Sequence, residues 1–187
     1  MKKLLLLLLV GLMSFTTTNK KILFVGDSLT CFNGGWQTQV SKGLGKDYGR
    51  VARVGKTTEW MLSNLKRHLI SNNEKYDTVF IYGGINDAYS GQSKNTITNL
   101  QKMIDLCNHY NITPVIVVGY NPLKVAKGRT KLRNKYIILQ EQMLCLKDCK
   151  IIPIENTINR NDTPDGIHLK MSGHKKFSKF VLENLEI

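Results

Sequence analysis

The sequence predicts an α/β protein in which five parallel strands form one sheet, with crossover helices covering both faces. Short apolar, β-branched runs alternate along the chain with longer segments of helical spacing, which is the order that parallel pairing requires. Two of the runs are almost unbroken in apolar character, as strands buried on both sides must be. The chain has 187 residues, enough for one domain with a proper core and short for two.

The strand candidates are residues 22–25, 50–54, 78–82, 113–118 and 151–154. The first and third are the apolar ones and are expected at the centre of the sheet. Helical spacing is clearest over residues 98–110, where Leu100, Ile104 and Cys107 or Leu106 share a face. Trp60, Leu62, Leu65 and Leu69 mark a second helix, residues 136–146 a third. In residues 172–185, Phe177, Phe180, Val181 and Leu185 line one side of a fourth. No internal repeat, linker or interior shift in composition interrupts this order. A hydrophobic content of 42% and a charged content of 22% exclude a disordered or fibrous chain.

Residues 1–18 stand apart. Met1, Lys2 and Lys3 form a basic start, residues 4–13 an apolar run, and Ser14 to Thr18 supply small residues suited to a peptidase. This is the pattern of a secretory signal peptide followed by one domain over residues 19–187. Ten helical residues reach only ~15 Å against ~30 Å of hydrocarbon, so no stable membrane span is expected. Export is therefore the expected destination, periplasmic or extracellular, with an uncleaved membrane tether as the alternative.

The formal net charge is +13, and loss of the leader removes two lysines and no acid, leaving +11. Such a field favours anionic partners such as acidic glycans or lipid headgroups. The basic residues are mostly scattered and no nucleic-acid motif is present, so nucleic acid is not an expected partner. Lys124, Lys127, Arg129, Lys131, Arg133 and Lys135 make the densest basic stretch, read either as a solvated loop or as an attractor for an anionic substrate. Cys31, Cys107, Cys145 and Cys149 suit an exported protein with up to two disulfides, or four free thiols. Cys145 and Cys149 are too far apart on a continuous helix to bond, so a bridge there needs the helix to end between them.

Ligands of open parallel sheets bind beyond the carboxyl ends of the strands. The first three strand ends and the segment before the last helix carry residues suited to chemistry. Gly26-Asp27-Ser28 follows the first run, Gly55 the second, and Gly83-Gly84-Ile85-Asn86-Asp87 the third; Asp165-Gly166-Ile167-His168 precedes the last helix. A serine hydroxyl becomes nucleophilic when a base takes its proton. His168 is the candidate base, and Asp165, three residues earlier, is placed to hold its Nδ1–H. The backbone N–H groups of Ser28 and Gly55 and the side-chain amide of Asn86 are candidate donors to the oxyanion that attack creates. No metal motif is present, and this chemistry requires no metal or cofactor.

Taken in order, these residues resemble the SGNH, or GDSL-type, hydrolase family. Gly26-Asp27-Ser28-Leu29-Thr30 is similar to its first block, Val54-Gly55-Lys56-Thr57-Thr58 to its second, Gly84-Ile85-Asn86-Asp87 to its third, and Asp165 with His168 to its fifth. The resemblance implies a flavodoxin-like three-layer α/β/α sandwich with strand order 2-1-3-4-5. It implies a Ser28–His168–Asp165 triad and an oxyanion hole from Ser28, Gly55 and Asn86. The nucleophile lacks a Gly-x-Ser-x-Gly elbow, which sets the chain apart from ordinary α/β-hydrolases. The expected activity is hydrolysis of a carboxylic ester, a short acyl or O-acetyl group carried for example by a glycan, through an acyl-Ser28 intermediate. The alternatives are a lysophospholipase or thioesterase acting on lipid acyl esters, an O-acyltransferase using the same triad, and an idle glycan-binding module. Asp27, Tyr120 and Asn121 are expected at the substrate. His174, His68 and His109 are read as packed or solvated helix histidines, and Cys31 as structural.

Overall fold

The computed structural model describes residues 21–72, 74–119, 130–154 and 157–185; the leader, Tyr120, Asn121 and the basic residues 124–129 lie outside them. The elements run β1 (Lys21–Gly26), α1 (Ser28–Cys31), α2 (Trp36–Leu44), β2 (Tyr48–Ala52), α3 (Thr58–Ser71), β3 (Tyr76–Tyr82) and α4 (Ile85–Ser90). They continue with α5 (Thr96–His109), β4 (Thr113–Val118), α6 (Thr130–Met143), β5 (Lys150–Pro153) and α7 (Met171–Glu183). All neighbouring strands pair in parallel, and the sheet order is β2-β1-β3-β4-β5. The expected order and architecture are therefore observed.

Alternation along the central strands divides the core in two. Leu23 and Val25 of β1, with Val79 and Ile81 of β3, face Met61 and Leu65 of α3, Leu100, Ile104 and Cys107 of α5, and Tyr136 and Leu139 of α6. Ile22, Phe24 and Phe80 face Trp36 and Val40 of α2 and Phe177 and Val181 of α7. Phe24 stacks on Phe80 at 5.0 Å and meets the edge of Trp36 at 5.1 Å, tying both central strands to α2. The chain moves outward from β1 to β2 on one side and from β3 to β5 on the other. Right-handed crossovers then put α2 on one face of the sheet and α3, α5 and α6 on the other. The reversal lies between β1 and β3, and the crevice at their carboxyl ends is where Ser28 and Asn86 emerge.

Two local expectations are corrected. The second strand was read as residues 50–54, but β2 ends at Ala52, the partner of Gly26, and the Arg53 N–H closes the ladder on the Gly26 carbonyl at 3.3 Å. Arg53 and Val54 belong to the following turn, where Gly55 adopts φ 72°; apolar alternation continued past the point where pairing stops. Helix α2 had no counterpart in the reading because its buried face is a single apolar line, Trp36 and Val40, mixed with Gln37 and Ser41. Its C-terminus is set by Gly45, whose φ of 62° lets its N–H cap the Lys42 carbonyl.

All four cysteines are free thiols. Cys107 lies in the core and burial pushes its thiol up to about 12. Among the described residues, no helix is long and apolar enough to cross a membrane.

Candidate active site

Ser28 is the first residue of α1, set there by its neighbour. Asp27 N-caps the helix, its Oδ1 accepting the Leu29 N–H at 3.0 Å, so the chain turns sharply out of β1 and presents Ser28 in the crevice. Gly26 permits the turn. A Cβ there would overlap the Thr30 hydroxyl and lie 2.8 Å from the Tyr82 carbonyl, so no side chain fits between β1, α1 and β3.

His168 arrives from the opposite end of the chain. Its Nε2 is 3.1 Å from Ser28 Oγ, and its Nδ1 is 2.7 Å from Asp165 Oδ2. The other carboxylate oxygen, Oδ1, accepts the backbone N–H groups of Ile167 at 2.9 Å and His168 at 2.7 Å. Gly166, at φ 81°, makes this turn possible, and its N–H is held by Thr163 Oγ1 at 2.6 Å. Partial burial raises the pKa of the Asp165 carboxyl, but the hydrogen bonds from the His168 ring and the two N–H groups outweigh it and hold it at about 2. Asp165 is therefore ionised at neutral pH.

The loop carrying both residues is pinned by Asp162, which the sequence reading did not single out. Its side chain closes a capping box with Asn159, accepts Ser172 Oγ at 3.1 Å and pairs with Lys176 Nζ at 2.7 Å, while its carbonyl accepts the Lys170 N–H at 2.7 Å. An Asx-type start at Asn159-Arg160-Asn161-Asp162 is visible in the sequence; its junction with α7 is not.

Asn86 is the second residue of α4, immediately beyond β3. Its Nδ2 donates to the Lys56 carbonyl at 3.1 Å and lies 3.4 Å from Asp27 Oδ2. The amide thus links the turn containing Gly55 to the residue preceding Ser28, bringing the three expected oxyanion donors into one neighbourhood. Next to it, buried Asp87 accepts the Thr58 N–H through both oxygens at 3.0 and 3.2 Å, and Thr58 Oγ1 at 2.5 Å. Asn99 Nδ2 completes the knot by donating to Thr58 Oγ1 at 3.2 Å. Asp87 thereby caps α3 and locks α4 to the turn bearing Gly55. This duty of Asp87 is not visible in the sequence, because it depends on contact between distant segments.

Asp27 was expected at the substrate and is instead fully buried. Its carboxylate serves α1 and Asn86 from below the site and offers no surface to a ligand. Burial raises it to about 7, opposed by the Leu29 N–H and His168 and reinforced by Asp87. His174 is buried as expected for a packed histidine. Its Nδ1 accepts the Trp36 N–H at 3.2 Å and its ring stacks on Phe32 at 5.2 Å; burial lowers it to about 4. His68 and His109 lie in the last turns of α3 and α5.

This arrangement places a hydroxyl, an imidazole and an ionised carboxylate in one hydrogen-bonded line, beside an amide and the Gly55 turn. The chain matches the GDSL-like lipase/acylhydrolase family over residues 24–176. No curated protein matches it in sequence. Among solved structures, a lipolytic G-D-S-L family protein from Veillonella parvula superposes with a TM-score of 0.73 at 18% identity, covering 89% of this chain and 98% of the other. An acetylxylan esterase from Geobacillus stearothermophilus, solved as a catalytic mutant, gives 0.70 at 15% identity over 90% and 94%. TesA gives 0.66 at 18% over 89% and 98%. With the family matched across most of its length and the same parallel fold, the chain belongs to the GDSL-like lipase/acylhydrolase family and is a hydrolase of ester bonds.

Proposed function

We propose that the protein is an exported serine esterase that removes a short acyl group, such as an O-acetyl group on a glycan, through an acyl-Ser28 intermediate. The observation that carries this reading is the hydrogen-bonded line Asp165–His168–Ser28, with bonds of 2.7 and 3.1 Å. Ser28 Oγ attacks the ester carbonyl carbon while its proton passes to His168 Nε2. Asp165 stays ionised and holds Nδ1–H, stabilising the imidazolium. The oxyanion is met by Asn86 Nδ2 and the N–H groups of Ser28 and Gly55. On collapse the alcohol leaves with the proton from His168. Water then repeats the sequence on the acyl-enzyme and releases the acid.

A short acyl group suits a chain with no long apolar insertion to grip a fatty tail. The names of two structural neighbours, both acetyl xylan esterases, point the same way. Acyl-chain profiling with p-nitrophenyl esters tests the reading. Acetate is expected to be the best substrate, and Ser28→Ala to lose at least about 10³-fold in kcat/KM. A Ser28→Ala protein as active as the parent would sink it.

A further inference from the structure

The open edge of the sheet carries a second feature that the catalytic residues do not use. β2 is an edge strand, and α3 returns beside it. Trp60, Asn64, Arg67, His68 and Ser71 recur at helical spacing along one stripe of α3, and with residues 50–52 of β2 they line a groove of about 300 Å³. The stripe from Trp60 to Ser71 covers ~16 Å of helix. It is not the core-facing stripe, which is Met61 and Leu65. The groove's upper end, at Trp60 and Ala52, adjoins the turn that holds Gly55, so it opens beside the candidate active site.

Its lining is specific. Trp60 is half-buried, packed in part on the core. Asn64 Nδ2 is held by the Trp60 carbonyl at 2.8 Å, and its Oδ1 accepts Arg67 Nη2, which sets the guanidinium in place. Arg50 Nη1 donates to the Cys31 carbonyl at 2.9 Å, at the end of α1. That contact turns the Arg50 guanidinium to the α1 side of the sheet, so Arg67 is the groove's cation, and among the described residues it has no carboxylate partner. Glu74, near the lower end, is engaged by Lys21 and the Tyr76 hydroxyl, each at 2.5 Å.

An indole, an amide and the uncompensated Arg67 guanidinium along one helix stripe match the parts of an acidic sugar chain. Apolar ring faces lie on indole, hydroxyls bond to amides, and a carboxylate takes a guanidinium fork. A peptide added to the β2 edge would use backbone groups and draw nothing from Arg67. We propose that this groove binds a uronate-bearing oligosaccharide and leads its acyl group to Ser28; only the second half of that statement rests on the esterase reading. The chain's net charge of +13 draws the same class of ligand toward it.

The test is calorimetric titration of full-length Ser28→Ala protein with tetragalacturonate and, separately, neutral xylotetraose. The acidic chain is expected to bind at least about tenfold tighter at low salt, with the preference fading as salt is added. Adding Arg67→Ala should remove that preference. Arg67 is exposed, so folding is not at stake, and Arg67→Ala in the active protein should hydrolyse p-nitrophenyl acetate normally. Equal binding of the two sugars, or a preference that survives Arg67→Ala, overturns the proposal. So does Arg67-dependent binding of phosphatidylglycerol vesicles without any binding of tetragalacturonate. If tetragalacturonate binds through Arg67 but the parent cleaves no ester, the groove stands and the esterase reading falls.

Discussion

Replacing Asp165 with asparagine isolates the role of one proton. In the folded chain the two carboxylate oxygens have separate duties: Oδ1 accepts two backbone N–H groups and Oδ2 faces His168 Nδ1. An asparagine must keep its carbonyl oxygen at the Oδ1 position, since the opposite orientation would point NH₂ at two N–H donors. Its NH₂ then faces Nδ1, which must become an acceptor. The ring proton moves to Nε2, the atom 3.1 Å from Ser28 Oγ, and the base is lost. A wrong tautomer of this kind costs about 10⁴-fold in rate, or ~5 kcal/mol at ~1.36 kcal/mol per decade. Stability should barely change. The His168 and Asp165 side chains are about half exposed, at 50% and 49%, where a charge pair contributes no more than ~1 kcal/mol. The assay is kcat/KM on p-nitrophenyl acetate at pH 8, with thermal melting followed by circular dichroism. An Asp165→Asn enzyme within tenfold of the parent, with an unchanged melt, would refute the proposed proton path.

Asn86→Ala removes one donor to the oxyanion and should lower kcat by about 10²–10³-fold with little change in KM, read from steady-state kinetics; a pure KM effect would place Asn86 in ground-state binding instead. The pH dependence of stability should expose two buried groups that offset each other. Folded Asp27 keeps its proton up to about pH 7, against 3.8 ordinarily, so the folded chain binds the extra proton and stability falls as pH rises through that window. His174, held at about 4 against 6.5, does the opposite, and stability rises from pH 4 to 6.5. Asp27→Asn removes the first slope, so its urea midpoint should climb between pH 4.5 and 6.5 more steeply than that of the parent. Parallel profiles would show that Asp27 is not titrating in this range.

The parallel sheet, its two apolar central strands and the polar residues at strand ends were legible from the sequence alone. These are local properties: side-chain periodicity selects helix or strand, and a residue just past a strand must lie at the sheet's carboxyl edge. Ser28 and Asn86 stood out as candidates for that reason, and Asp165 with His168 through their spacing ahead of the last helix. The order of the strands was legible through resemblance to a family, not through periodicity. What the tertiary structure decided was burial and contact between segments far apart in the chain. Asp27 looked like a substrate ligand because it adjoins Ser28, yet in the folded chain it is fully buried beneath α1, bonded to the Leu29 N–H and close to Asn86. Nothing local marks Asp87 or Asp162 as a support of the site; their reach to Thr58 and Lys176, 29 and 14 residues away, makes them so. The groove along β2 has no motif, because its stripe is ordinary helix surface until an edge strand lies beside it. Covalent neighbours and periodicity determine which elements form and where Ser28 falls. Which of its neighbours see water is set by how those elements pack.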